Sequence, residues 1–90
     1  MNVLLYYCYT HIDDTERYLN EHKNFCEKYD LTGRVIIAEE GLNGTVSGPE
    51  NDCIKYMEFV KNDSRFMKVD FKIDSCEEHL FPKMSIKIKP

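Results

Sequence analysis

The sequence predicts an α+β fold of the ferredoxin-like type: an antiparallel sheet with two helices on one face, in the order βαββαβ, plus a C-terminal strand. Three observations support it. Short runs rich in aliphatic and aromatic residues are typical of strands. Two other segments carry apolar residues at helical spacing. The 90 residues suffice for one small domain with one core.

The first strand is expected at residues 3–9 and is apolar on both sides. One side carries Val3, Leu5, Tyr7 and Tyr9, and the other carries Leu4, Tyr6 and Cys8. A strand that is apolar on both sides is usually central in its sheet. If the helices cover one face, the other presents a patch to a partner. That partner would be a second domain, a second copy of the chain, or RNA bases that stack on aromatic side chains.

The middle of the chain predicts a helix followed by a β-hairpin. Asp13 or Asp14 would N-cap a helix over residues 14–29, since Asp13 and Glu16 fit a capping box, and Gly33 lies in the turn after it. Strand two is predicted at 34–40 and strand three at 43–48, with Gly41 and Gly44 forming the turn.

The last part of the chain predicts a helix and two strands. The second helix would begin after a cap at Ser47 or Gly48, carry Pro49 in its first turn and end near Asn62. Strand four is predicted at 69–74. After a loop, residues 84–89 alternate as a fifth strand at an edge.

Composition limits the function classes. The chain is 42% apolar and 31% charged, as in a folded domain. Its formal net charge of −4 argues against strong nucleic-acid or anionic-membrane binding by this piece alone. No membrane-spanning run and no signal peptide are visible, so we expect a cytoplasmic protein with free thiols at its four cysteines. The strand-like ending at Pro90 suggests that the natural protein continues.

Cysteine and histidine residues do not predict a reactive site. The pairs Cys8–His11, His22–Cys26 and Cys76–His79 lack the spacing of a zinc knuckle, and we expect no metal. None of the cysteines has an evident cation that would lower its pKa. Cys53 follows a helix start, but it lies behind Glu50 and Asp52, which would raise its pKa.

Glycines and tyrosines leave two interpretations open. The segment "EGLNG" offers backbone amides to an anion, but Glu39 and Glu40 precede it and oppose anion binding. Tyr6, Tyr7 and Tyr9 are either base-stacking groups or part of the core and a domain interface. The cationic run "KMSIKIK" fits RNA contact and a solvated strand equally well.

Four segments carry a family resemblance. They are "VLLYYCYTHIDD", "EHKNFCEKYDLTGRVIIAEEGLNGTVSG", "YMEFVKNDSRF" and "FKIDSCEEHLFPKMSIKIKP". Together they resemble the N-terminal, acylphosphatase-like domain of the rhodanese-domain tRNA uridine 5-hydroxylase (TrhO) family. The resemblance covers essentially all of the chain. Its most specific parts are the "GR-V-IA-EG-NGT-SG" pattern and the "F-KM" segment before the last strand.

The resemblance implies a role within a larger enzyme. Members of that family join such a domain to a rhodanese domain, which holds the catalytic cysteine, and hydroxylate the wobble uridine of tRNA with molecular oxygen as co-substrate. No segment here matches a rhodanese active-site loop. We therefore expect a substrate-binding, non-catalytic domain without its own cofactor, whose partners are tRNA and the rhodanese domain. Within the family-like pattern, Arg34, Glu40 and Asn43 are the candidate substrate-binding residues.

Two alternatives belong to other function classes. A small acylphosphatase-like hydrolase would need preorganised donors for an oxyanion in the loop after strand one. That loop reads "YTHIDD" and has no arginine or glycine. A dimerisation module would bury the open sheet face against a second copy of the chain.

Overall fold

Five strands and two α-helices form the protein in a computed structural model that describes residues 1–90. The elements are β1 (Asn2–Tyr9), α1 (Thr15–Cys26), β2 (Thr32–Ala38), β3 (Gly41–Gly48), α2 (Glu50–Lys61), β4 (Lys72–Ser75) and β5 (Met84–Ile88). A 3₁₀ turn at Ser64–Phe66 follows α2. The order confirms the predicted ferredoxin-like fold with a C-terminal strand.

The strands are arranged in the order β4-β1-β3-β2-β5. The two-sided apolar strand β1 therefore lies inside the sheet, between β4 and β3, as predicted. The first four strands are antiparallel, whereas β5 pairs in parallel with β2. The reason is geometric. β4 and β5 lie at opposite edges, and β5 begins at the end of the sheet where β4 ends, so it runs in the same direction as β2.

The core lies between one face of the sheet and the two helices. Residues paired across strands share a face, so Leu4 and its partner Val46 both point toward the helices. Fully buried Tyr56 and Val60 of α2 belong to the same core cluster, as does Tyr18 of α1. Both helices therefore cover a single face, as predicted.

A chain of polar groups crosses this core. The hydroxyl groups of Tyr6 and Tyr56 are hydrogen-bonded to each other, and Tyr56 also bonds to Nε2 of His22 at 2.7 Å. Burial lowers the pKa of His22 to about 4, so the imidazole is neutral near pH 7. Its Nδ1 atom and the Tyr18 hydroxyl have no hydrogen-bond partner. The core thus depends on one neutral, fully buried histidine.

The start of α1 differs from the prediction. The helix begins at Thr15 after Asp14, one of the two predicted N-cap residues, but no side chain caps it, so the capping box of Asp13 and Glu16 is wrong. The Asp14 carboxylate instead accepts a hydrogen bond from Arg65 at 2.6 Å, and that ion pair lowers the pKa of Asp14. The α-helix also ends at Cys26 rather than at residue 29, in a hydrogen-bonded turn.

The hairpin turn is two residues earlier than predicted. Glu39 and Glu40 form the turn, and the last pair across it is Ala38 with Gly41. Gly41 and Gly44 lie within β3 instead. A Cβ atom on Gly41 would lie 2.2 Å from the carbonyl oxygen of Cys8, so close strand contact requires this glycine.

Two boundaries in the second half also differ. Ser47 belongs to β3, so the predicted cap there is wrong: Pro49 is the N-cap residue of α2, although Asn62 ends the helix as expected. β4 begins only at Lys72, and Val69, the predicted start of the strand, belongs to the buried core cluster instead. Val69 is 4% exposed, and its amide donates to the carbonyl of Phe66.

Candidate functional site

The face of the sheet opposite the helices carries no helix, and we call it the open face. Strand pairing places on it Val3, Leu5, Tyr7 and Tyr9 of β1, Thr32, Arg34 and Ile36 of β2, Asn43, Thr45 and Ser47 of β3, Lys72 and Asp74 of β4, and Ser85 and Lys87 of β5. Leu5, Tyr7 and Tyr9 are 41%, 56% and 75% exposed. The predicted patch therefore exists and is uncovered over most of its length.

One end of the open face is covered by the β4–β5 connection, residues 76–83, which we call the strap. The strap has to cross the sheet because β4 and β5 lie at opposite edges. The Cys76 amide donates to the carbonyl of Met1, and the Gly33 amide donates to the carbonyl of Lys83. Beneath the strap, Val3 and Ser47 are buried.

His79 fastens the strap to the sheet. Its Nε2 atom donates to the Asp30 carboxylate at 2.9 Å, so in the neutral ring Nδ1 accepts the Thr32 hydroxyl at 2.8 Å. Ser47 Oγ lies 3.2 Å from the same Nδ1 atom and accepts the Leu80 amide at 3.4 Å. We call Asp30, Thr32, Ser47 and His79 the latch.

The latch contains a serine, a histidine and a carboxylate, but its serine is not placed to act as a nucleophile. Ser47 is 0% exposed beneath the strap, so no substrate carbonyl reaches its hydroxyl. Asp30 and His79 are separated by 49 residues, and no local sequence pattern marks their pairing. Sequence reasoning missed the latch for that reason.

Beside the strap, the open face contains a cleft of about 760 Å³. Its walls include Tyr7, Ile36 and Phe81 on the apolar side and Arg34, Asn43 and Asp70 on the polar side. Phe81 belongs to the strap, so the latch also helps to form this wall. The volume lies in the range of small-molecule and nucleotide-sized sites, and the lining combines apolar area with a few polar groups.

Charge is unevenly distributed over the open face. Arg34 and Lys87, on β2 and β5, are exposed and form no ion pair. Near them, Lys89 pairs with Glu40 at 2.9 Å, and this contact raises the pKa of Lys89. The β4 side is mixed, since Asp70, Lys72 and Asp74 alternate along it. The β2–β5 half is therefore cationic although the whole chain is acidic.

The three predicted substrate-binding residues lie near one another. Arg34 and Asn43 line the same cleft. Glu40 lines a smaller adjoining cleft of about 290 Å³, together with Asn43 and Tyr9. The structure thus places two of them in one cavity and the third in the next, with the Glu40 carboxylate on Lys89.

The tyrosines proposed for stacking separate into two groups. Tyr7 and Tyr9 lie on the open face, with ring centroids 4.6 Å apart in an edge-to-face arrangement. Tyr6 points into the core, where it is 6% exposed and bonds to Tyr56. Of the two interpretations, the structure therefore supports the core for Tyr6, whereas Tyr7 and Tyr9 are exposed on the open face.

The loop after β1 does not form an anion cradle. The amides of Thr10 and Ile12 donate to the carbonyls of Glu40 and Glu39, at 3.2 and 2.9 Å. The Asp14 side chain is paired with Arg65. Amides that are already bonded cannot turn toward a phosphate, so this geometry gives no support to acyl phosphate hydrolysis.

The cysteine side chains and the potential metal ligands are not arranged as a site for thiol or metal chemistry. All four cysteines are free. Burial raises the pKa of Cys8, raises that of Cys26 to about 12 and raises that of Cys53 to about 11, the opposite of nucleophile activation. No three His, Cys, Asp or Glu side chains are grouped as metal ligands. None of the helices has the length and apolar character needed to cross a membrane.

Solved structures share the fold at low sequence identity. A bacterial light-regulated adenylyl cyclase aligns over 99% of this chain and 27% of its own, with a TM-score of 0.78 and 15% identity. The photo-activated state of BlsA aligns over 99% of this chain and 69% of its own, with a TM-score of 0.76 and 22% identity. At these identities the likeness shows the fold alone.

Sequence relatives are more informative. A tRNA uridine(34) hydroxylase of Cytophaga hutchinsonii is 54% identical over 88 residues, which are 98% of this chain and 28% of the relative. One of Staphylococcus saprophyticus subsp. saprophyticus is 51% identical over 85 residues, 94% of this chain and 27% of the relative. The chain thus spans just over a quarter of the curated relatives it matches. The family described as the UPF0176 acylphosphatase-like domain matches residues 1–90, and the chain belongs to that family.

Proposed function

We propose that this chain is the substrate-binding domain of an oxygen-dependent tRNA uridine(34) hydroxylase that forms 5-hydroxyuridine, and that it does no chemistry alone. The main support is the difference between the share of this chain and the share of its relatives that the sequence match covers. Nearly the whole chain matches tRNA uridine(34) hydroxylases, yet it accounts for 28% of the length of the Cytophaga relative. Most of such an enzyme therefore lies outside the matched part. That remainder is long enough to contain a rhodanese domain with a catalytic cysteine.

The titratable groups of this chain support a non-catalytic role. The cysteines at positions 8, 26 and 53 have raised pKa values because they are buried. His22 is enclosed in the core and His79 is occupied by the latch. In this proposal, molecular oxygen and the hydroxylating cysteine act in the remainder of the enzyme.

The open face supports a role in substrate binding. In this proposal Arg34 contacts a phosphate of the tRNA, because it is exposed and forms no ion pair, although Asp70 lines the same cleft. Asn43, in the same cleft, offers an amide to a base edge. Glu40 acts through Lys89, since their ion pair holds the lysine beside the adjoining cleft.

The proposal is tested by measuring 5-hydroxyuridine in tRNA from cells that lack the gene. Mass spectrometry of tRNA nucleosides is expected to show its loss, and the full-length gene should restore it. Residues 1–90 expressed alone should not restore it. Restoration by residues 1–90 alone would overturn the non-catalytic assignment, and unchanged 5-hydroxyuridine in the deletion strain would overturn the function. Fractionation of the same cells is expected to place the protein in the cytoplasm with its tRNA substrate.

A further inference from the structure

We propose that the open face binds an unpaired stretch of RNA, with a base stacked on Tyr7 beside Phe81 in the cleft and the RNA backbone held by Arg34 and Lys87. This inference rests on the proposed function for the source of the RNA, a tRNA. It adds the binding surface, the mode of recognition and the preference for unpaired nucleotides.

The aromatic part of the site is exposed to a ligand. Tyr7 is 56% exposed, and the Tyr9 ring packs edge-to-face against it. Phe81 enters the cleft from the strap, whose position depends on the latch. Bases stack on exposed aromatic rings of a sheet only when they are unpaired, because pairing in a duplex hides their faces. The geometry therefore favours single-stranded RNA.

The charges favour an anionic ligand over a second copy of the chain. Arg34 lines the cleft and forms no ion pair. A symmetric dimer would place the same patch on both subunits, so each partner would contribute the unpaired cations Arg34 and Lys87 to the interface. A polyanion with planar bases complements both the cations and the aromatic rings.

The strap gives His79 a positioning role. His79 does not line the cleft, but its bonds to Asp30 and Thr32 hold the segment that carries Phe81. His79→Ala should therefore weaken RNA binding, whereas it should leave the salt dependence of binding unchanged because no phosphate contact is lost. Arg34→Ala should change both quantities.

The experiment measures fluorescence anisotropy of labelled oligouridine with the 90-residue chain, and repeats it with the strand annealed to oligoadenosine. Tyr7→Ala should weaken single-strand binding about tenfold, whereas Tyr7→Phe should bind like the wild type because it keeps the ring. Arg34→Ala should weaken binding and lower the salt slope by about 0.7, the value for one phosphate contact on a single strand. Lys28→Ala, on an exposed residue in the turn after α1, is the control for charge.

Three results would overturn the inference. They are equal affinity for the duplex, equal loss in Lys28→Ala and Arg34→Ala, and a dimer in light scattering that Tyr7→Ala dissociates. Backbone amide spectra of each variant show whether it is folded. The RNA-binding site and the proposed function can be disproved by different results. If deletion of the gene removes 5-hydroxyuridine while Tyr7→Ala and Arg34→Ala bind normally, only the location of the RNA site is wrong.

Discussion

Tyr6 and Tyr7 are adjacent on β1 and lie in opposite environments. Tyr6 is 6% exposed and belongs to the polar chain through Tyr56 and His22. Tyr7 is 56% exposed and lines the cleft with Arg34. The same residue type on one strand thus contributes to stability on one face and to a candidate ligand site on the other. The difference arises from what covers each face: two helices on one, and only the strap on the other.

The largest predicted contrast comes from truncating these two tyrosines. Tyr6→Ala should lower the free energy of unfolding by about 3–5 kcal/mol, because it leaves a large cavity and removes one of the two hydrogen-bond partners of the Tyr56 hydroxyl. Tyr7→Ala should leave the denaturation midpoint within experimental error, since its ring is solvated. Urea denaturation followed by circular dichroism measures both. Equal destabilisation by the two variants would contradict the division between the faces.

Acid should destabilise the helix-covered face. The pKa of His22 is lowered from 6.5 to about 4 by burial, so the unfolded chain takes up a proton before the folded chain does. The contribution of the neutral imidazole to the free energy of unfolding is therefore fully present above pH 6.5. It decreases by about 3 kcal/mol as the pH falls from 6.5 toward 4.

Denaturation midpoints measured across that pH range test this expectation, with His22→Leu as the comparison. The variant should lose the part of the acid dependence that His22 causes. If the wild type and His22→Leu show the same slope between pH 6.5 and 4, the acid sensitivity comes from other groups.

Removing one hydroxyl should have a smaller effect than truncating a ring. Tyr56→Phe keeps the aromatic packing but deprives both Tyr6 and His22 of a buried hydrogen-bond partner, at a cost of about 1–3 kcal/mol. Tyr9→Phe is the matched change on the open face and should cost nothing measurable, because Tyr9 is 75% exposed. Thermal unfolding of the two variants gives the comparison, and a larger loss in Tyr9→Phe would refute it.

The smallest expected change in stability is at the latch. His79→Ala removes bonds to Asp30 and Thr32 at the edge of the open face and should cost about 1 kcal/mol. Hydrogen exchange should accelerate at Leu80, whose amide donates to Ser47, more than at amides of β1. Uniform acceleration in both places would mean that the latch supports the whole fold and not only the strap.

Local patterns were sufficient to predict the order of elements. The apolar spacing of α1 and α2 and the two-sided pattern of β1 depend on neighbours in sequence, and those elements form close to where expected. Features that depend on distant residues were not predictable. Asp14 pairs with Arg65 instead of capping its helix, and Gly41 is needed beside Cys8 rather than in the turn.

The candidate site was predictable only in part, for the same reason. Arg34 and Asn43 were selected from a sequence pattern, and strand pairing brings them into one cleft. Their neighbour Phe81 and the latch come from the strap, whose path follows from β4 and β5 lying at opposite edges. Nothing local in the sequence specifies that arrangement, and nothing local indicates that Tyr6 faces the core while Tyr7 does not.

Substrate binding by the open face is tested in cells whose only full-length gene carries both Tyr7→Ala and Arg34→Ala, by measuring the 5-hydroxyuridine content of their tRNA. Lys28→Ala serves as the control, and immunoblotting compares protein levels. We expect a clear loss of 5-hydroxyuridine at unchanged protein abundance, with wild-type content in the control. Wild-type 5-hydroxyuridine in the double variant would contradict the claim that the open face binds the substrate.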